Sequence, residues 1–202
     1  MANLNIHTRK ASTFDAIVVG SGMTGGMAAK ELTEKGLQVL MIERGREIKH
    51  VSDYDTALKA PWEFDHRGRV TVQSAEELWA NSRFGSLANE ETGPFFTNDQ
   101  SNPYIEQRPF DWIRSYHTGG KSMHWGRQSY RFNKQDFEAN AKDGISVDWP
   151  IRYSDLEPWY THVEKFVGIS GQKEGWDVLP DGHFLPPMPM FTPEVHFQGA
   201  MK

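Results

Sequence analysis

The glycines of Gly20-Ser21-Gly22-Met23-Thr24-Gly25 have the types and spacing to hold a pyrophosphate. Each has a separate task. Gly20 permits a tight turn. Gly22, without a Cβ, lets backbone approach the phosphates. Gly25 lets a helix pack closely on the strand before it. The exposed N–H groups at the start of that helix then face the anion. Glu43 follows, about 20 residues after the last glycine, at the end of the next apolar run. A carboxylate there accepts hydrogen bonds from a ribose 2′-hydroxyl and repels a 2′-phosphate, which disfavours NADP.

A second chemically pointed stretch is Tyr116-His-Thr-Gly119-Gly120-Lys-Ser122-Met-His124-Trp125-Gly126-Arg127. Two adjacent glycines before a serine allow backbone to approach a ligand closely. His124 beside Trp125 is either a ligand contact or an ordinary hydrogen-bonded core histidine.

The elements around the first motif come in the order it requires. Phe14–Gly20 reads as a buried parallel strand. Met23–Lys35 has helical spacing, with Met27, Ala28 and Leu32 on one face and Lys30, Glu34 and Lys35 outside. Gly36 ends the helix. Leu37–Ile42 is the second strand. Strand, glycines, helix, strand and acid together make a dinucleotide-binding βαβ unit spanning Phe14 to Gly45. The motif alone does not separate FAD from NAD. Its place at the beginning of the sequence tilts towards FAD.

Elsewhere the signals are local. Ser52-x-x-Asp55 and Ser74-x-x-Glu77 read as helix starts, the second as a capping box. The run from Gly85 to Pro103, rich in Gly, Asn, Asp, Thr and Pro, reads either as a cofactor-covering loop or as a disordered one. Gln128–Phe132 could be a strand, and Asn133 with Asp136 suggests a helix cap. Ser154 and Glu157 read as a further capping box. Thr192-Pro193-Glu194 is a helix start with only 195–202 to follow and no stop signal, after the Pro-rich linker Phe184–Met190. That suggests a chain cut short, which would expose apolar surface meant for a missing half and be poorly soluble.

Composition excludes several classes. With no cysteine there is no disulfide, thiolate metal site or cysteine nucleophile. A net charge of −5 with no long Lys/Arg run leaves no nucleic-acid footprint. The start of the chain has no apolar run of signal-peptide type. No stretch is long enough to span a bilayer, and the expected location is cytoplasmic. A mean hydropathy of −0.64 fits a chain with long surface excursions. His50, Asp65 and His66 lack metal-site spacing and read as surface residues, and no metal is expected. Trp112, Trp149, Trp159 and Trp176 read as core and helix packing rather than as sugar-stacking platforms.

Taken together, Ile42-Glu43-Arg44-Gly45, Gly119-Gly120-x-Ser122 and Asp148-Trp-Pro-Ile151 with Ser154-Asp-Leu-Glu-Pro-Trp-Tyr160 resemble the glucose–methanol–choline (GMC) oxidoreductases, a family of FAD enzymes. Ser122-Met-His124-Trp125, running on to Arg131-Phe132, is similar to the segment of pyranose oxidases whose histidine is bonded to the flavin. The resemblance spans about Phe14 to Met190. It implies an α/β fold: a Rossmann-like FAD-binding domain of GMC type, with the substrate domain largely absent. The expected division is an arm at 1–13, the FAD-binding region at 14–183, and a linker with the start of a following segment at 184–202.

By the same resemblance, Gly20, Gly22, Met23, Thr24 and Gly25 would hold the pyrophosphate, and Glu43 with Arg44 the adenosine end. Gly119, Gly120, Ser122, His124 and Trp125 would lie along the flavin. His124 would sit at the flavin 8α-methyl, either covalently linked or packed beside it. The family's catalytic histidine lies in a later part of the chain, and none of the eight histidines here matches it. The catalytic residues are therefore unassigned. The implied reaction is oxidation of a secondary hydroxyl of a pyranose sugar or glycoside to a ketone, with hydride passing to flavin N5 and the acceptor left open. The resemblance leaves room for a homo-oligomer or a second subunit. Two other readings remain at this stage: an NAD-dependent dehydrogenase, and a non-catalytic nucleotide-binding or partner-binding subunit completed by a second chain.

Overall fold

The computed structural model describes residues 13–84 and 86–201. The N-terminal arm expected at 1–13 falls almost entirely outside the described residues. The chain divides into two compact units, Met1–Trp125 and Gly126–Lys202.

The first unit is built on a βαβ core. Strand β1 (Ala16–Val19) and strand β2 (Val39–Ile42) pair in parallel, with Ala16 opposite Val39 and Val19 opposite Ile42. Helix α1 (Met23–Glu34) connects them. Gly20, Gly25 and Gly36 carry out the backbone tasks expected of them. Gly20 has φ +93°, a conformation side chains resist. Gly36, at φ +88°, ends α1 as expected. A Cβ on Gly25 would lie 1.9 Å from the Gly20 carbonyl oxygen and 3.4 Å from Val18 Cγ1, so only glycine lets α1 sit this close to β1. Val18 is the buried residue of β1. The opposite face is bare: Ile17 is 61 %, Val19 81 % and Ile42 48 % exposed. Parallel sheets are normally covered on both faces.

After β2 the chain departs from a βαβ repeat. Ser52-x-x-Asp55 forms no helix. Val51 takes φ +70°, which breaks helical continuity, and the Asp53 carboxylate instead accepts from Lys49 N–H at 2.8 Å. Helix α2 (Val72–Glu77) is capped one turn earlier than expected: Thr71 is the N-cap, and Thr71 and Ser74 exchange reciprocal bonds of 2.9 and 3.0 Å. The short helix α3 (Trp79–Ser82) follows. The described part of the 85–103 run is packed. Thr97 and Asp99 are buried, with Thr97 N–H bonded to Arg114 O at 2.9 Å and Asp99 N–H to Glu77 O at 2.7 Å. Asp99 also pairs with buried Arg114 at 2.7 Å, and Arg114 lies over the Trp112 ring at 4.9 Å.

The second unit holds α4 (Lys134–Asp143), α5 (Tyr153–Val167) and α6 (Thr192–Ala200). The expected Asn133–Asp136 cap is present at both ends, at 2.7 and 3.1 Å. Helix α5 starts from Arg152, with Asp155 returning to its N–H, rather than from the Ser154–Glu157 box. Helix α6 starts as anticipated, but Phe191 is the N-cap, and Thr192 is the first helical residue. Residues 128–132 form no strand; Arg131 instead reaches Glu164 with two bonds of 2.8 and 2.7 Å. That pair, joined by Tyr153, Thr161 and the N–H of His183, ties the unit together. Trp149 packs edge-on against buried Phe137, whereas Trp159 and Trp176 are mostly exposed, so the core-packing expectation fails for those two. Among the described residues no helix is long and apolar enough to cross a membrane, and no cluster of three or more His, Asp or Glu could hold a metal ion.

Candidate functional site

The two glycine motifs meet in the first unit, and Ser21 joins them. Its hydroxyl donates to Glu43 Oε2 at 2.6 Å, and its N–H donates to the same oxygen at 2.7 Å. The Ser21 hydroxyl also accepts from Gly119 N–H at 2.9 Å. Glu43 Oε1 accepts from Gly45 N–H at 2.7 Å. One carboxylate at the end of β2 thus links the β1–α1 turn, its own strand end and the second motif. Burial alone would raise the Glu43 pKa, but the bonds from Ser21, Gly45 and Arg44 together outweigh it and hold the carboxylate below its ordinary range. It is ionised at neutral pH.

The close approach extends further. Gly119 and Gly120 both adopt positive φ, +91° and +53°. A Cβ on Gly120 would lie 3.8 Å from Gly22 Cα, so the two turns are in van der Waals range. Gly45 is glycine for a purely steric reason. A Cβ there would lie 2.4 Å from His117 N and from Tyr116 C. Beside it, Arg46 and His117 form a parallel bridge, and Thr118 N–H donates to Arg46 O at 2.9 Å. The Arg44 guanidinium lies 3.7 Å above the centre of the Tyr116 ring.

A phosphate fits this arrangement. Helix α1 has no side-chain cap and no acidic residue in its first turn, so the N–H groups of Met23, Thr24 and Gly25 and the positive helix end are left for an anion. A Cβ on Gly22 would meet Gly119 O at 3.9 Å, an ordinary contact, so the glycine keeps the backbone face between the two turns low.

Beyond the glycines the second motif continues as a 3-10 turn, Gly120–Met123. The Ser122 hydroxyl closes that turn on Gly119 O at 2.8 Å rather than facing outward. His124 is half-buried, its ring stacked 4.5 Å from Phe96, and Trp125 lies at the surface. The Ser115 hydroxyl lies 2.7 Å from His124 Nε2, 2.6 Å from His117 Nδ1 and 3.0 Å from Phe95 O. Burial pulls the pKa of both imidazoles down; nearby Arg46 adds to this for His117, and for His124 a hydrogen bond with the Phe95 backbone works against it while Lys121 adds to it. Phe96 also lines a cavity of about 590 Å³ together with Lys59, Glu77 and Glu90. His66 and His50 are outside this cluster, His66 paired with Glu90 at 2.9 Å and His50 with Tyr54 at 3.4 Å.

The structure therefore gathers Gly20, Gly22, Met23, Thr24, Gly25, Glu43, Gly119 and Gly120 around one turn. It places Arg44 on Tyr116 and His124 against Phe96. Sequence reading missed Ser21, Ser115, His117 and Phe96. Ser21 occupies a filler position of the glycine pattern, and Ser115-x-His117 matches no motif; only a count of hydrogen-bonding partners in three dimensions reveals them.

A family model described as FAD dependent oxidoreductase matches residues 15–150. The chain is 30% identical over 161 residues to a 6'''-hydroxyparomomycin C oxidase of Streptomyces lividus, covering 78% of this chain and 23% of that protein. It is 29% identical over 165 residues to a paromamine 6'-oxidase of Streptomyces fradiae, covering 80% and 24%. It is 30% identical over 173 residues to a gluconate 2-dehydrogenase flavoprotein of Pantoea cypripedii, covering 78% and 25%. The chain spans about a quarter of the length of these curated relatives.

Proposed function

Because this chain belongs to the FAD-dependent oxidoreductase family, we propose that it supplies the FAD-gripping part of a GMC-type enzyme that oxidises a secondary hydroxyl of a pyranose or glycoside to a ketone. The observation that carries the reading is the Ser21–Glu43–Gly119 network, which gathers both glycine motifs and the ribose-binding acid at the start of α1. The names of the relatives, which act on paromamine, a hydroxyparomomycin and gluconate, support a carbohydrate-like alcohol as substrate.

FAD, when bound, would supply the redox chemistry as the acceptor of a hydride from the alcohol. The chain's own residues bind and orient it. The open N–H groups of Met23, Thr24 and Gly25 hold the pyrophosphate, and charge at such a helix end is stabilised by about 0.3–1 kcal/mol, more when partly buried. Ionised Glu43 only accepts hydrogen bonds, which suits ribose hydroxyls and repels a 2′-phosphate. Gly119 and Gly120 bring backbone alongside the cofactor. His124, held neutral by its burial, would stand beside the flavin ring, the position from which a covalent link would form.

The test is the visible absorption of the purified protein after FAD loading, before and after acid precipitation. Yellow colour confined to the acid pellet supports a covalent bond at His124, and His124→Ala should then release it. Colour in the supernatant keeps FAD and removes the bond. A folded, colourless protein that takes up no FAD overturns the proposal.

A further inference from the structure

We infer that Ser115 is a positioning residue: its hydroxyl fixes which nitrogen carries the proton in both His117 and His124, leaving His124 Nδ1 and His117 Nε2 unprotonated. The hydroxyl has three partners within hydrogen-bond distance, Phe95 O at 3.0 Å, His117 Nδ1 at 2.6 Å and His124 Nε2 at 2.7 Å. It owns one proton and two lone pairs. Phe95 O is a carbonyl and can only accept. All three contacts are hydrogen bonds in a single arrangement: Ser115 donates to Phe95 O, and His117 Nδ1–H and His124 Nε2–H both donate to Ser115 Oγ. Any other placing of the protons leaves at least one of these three contacts without a hydrogen, and the further hydrogen bond of His124 with the Phe95 backbone also calls for an N–H on that ring.

The surroundings keep this arrangement in place. His117 is 6 % exposed, with the Phe95 ring 6.5 Å away. His124 is stacked on Phe96, and the two imidazoles are 6.2 Å apart. A second proton on either ring would bring charge into this packed space beside Arg46 or Lys121, and burial disfavours it first. Each ring is therefore neutral with one N–H, and Ser115 selects which one.

The consequence for the site rests on the flavin reading given above. In that reading the imidazole atom His124 can offer to the flavin is Nδ1, and an approach through Nε2 requires breaking the bond to Ser115.

The test needs no flavin. The chain, labelled with 15N only at histidine, is examined at pH 7.5 by long-range 1H–15N correlation, and the two rings are assigned with His117→Gln and His124→Gln. The expected spectrum shows an unprotonated Nδ1 for His124 and an unprotonated Nε2 for His117. Ser115→Ala should convert both rings from single tautomers to mixtures, and Ser115→Thr, which keeps the hydroxyl, should leave them single. A wild-type His124 protonated at Nδ1 overturns the inference, as do tautomers unmoved by Ser115→Ala. If Ser115→Ala does not fold, the wild-type and Ser115→Thr spectra still decide. A parallel FAD titration separates the two proposals: the expected tautomers without FAD uptake retain this inference and remove the flavin reading, and FAD uptake with the opposite tautomers does the reverse.

Discussion

Gly25 and Gly26 are neighbours in the first turns of α1, both with ordinary helical φ, yet their replacement by alanine should act in opposite directions. At Gly25 the new methyl would lie 1.9 Å from the Gly20 carbonyl oxygen, a backbone atom that cannot swing aside. Gly20 is itself fixed, its N–H donating to Ile42 O at 2.7 Å and its φ at +93°. To make room, α1 must move by more than an ångström from β1, the scale of overpacking that costs about 3 kcal/mol or more. At Gly26 the nearest atom to an added methyl is Ser21 O at 3.9 Å, an ordinary contact. There alanine removes only the entropy penalty of a helical glycine and stabilises by roughly 0.5–1 kcal/mol. Urea unfolding followed by far-UV circular dichroism should thus place the two variants on opposite sides of the wild type, about 4 kcal/mol apart. FAD binding should be lost in Gly25→Ala and kept in Gly26→Ala. A Gly25→Ala chain as stable as wild type, or a Gly26→Ala chain as damaged as Gly25→Ala, would falsify the steric reasoning for this turn.

Other consequences can be measured in the same way. Glu43→Gln should weaken FAD binding and lower stability by about 1.5–3 kcal/mol, because bonds to a charged acceptor are lost; isothermal titration and urea unfolding read the two effects, and unchanged affinity would remove Glu43 from the site. Burial first, with Arg46 and Lys121 adding to it, lowers the pKa of His117 and His124 below the usual 6.5. The unfolded chain then binds more protons, so stability is full above about 6.5 and falls as pH drops below it; urea midpoints across pH 5–8 should show this slope, and His124→Gln should flatten it. Arg131→Met should destabilise the second unit by about 3–5 kcal/mol by leaving Glu164 buried without its partner; thermal unfolding with no change in midpoint would contradict the role given to that pair.

The βαβ unit was legible in the sequence because its glycines are dictated by backbone geometry that admits no other residue. Gly20 needs positive φ, and Gly25 needs to lack a methyl. The other helix starts were legible to within a residue or a turn, but Ser52-x-x-Asp55 starts none, because Val51 stands at φ +70°. The acid or serine at the third helical position shows clearly in sequence, but the cap itself is a matter of one residue's backbone angle, so Phe191 and Arg152 stand where Thr192 and Ser154 seemed better suited. The expected strand at 128–132 gave way because Arg131 is drawn to Glu164, a partner far off in sequence. Ser21 and Ser115 were invisible for a related reason. A serine's importance lies in how many groups converge on one oxygen, and no spacing rule reports convergence.

The Ser21 junction also sets an order in which the site can assemble. Its bond to Glu43 closes a segment of 22 residues, whereas its bond from Gly119 closes one of 98. The longer closure costs about 1.3 kcal/mol more in chain entropy. During refolding the βαβ unit and its carboxylate should come together first, and the second glycine turn should dock last. Helical signal would then recover ahead of nucleotide affinity, and the lag between them would time the arrival of Gly119 at Ser21.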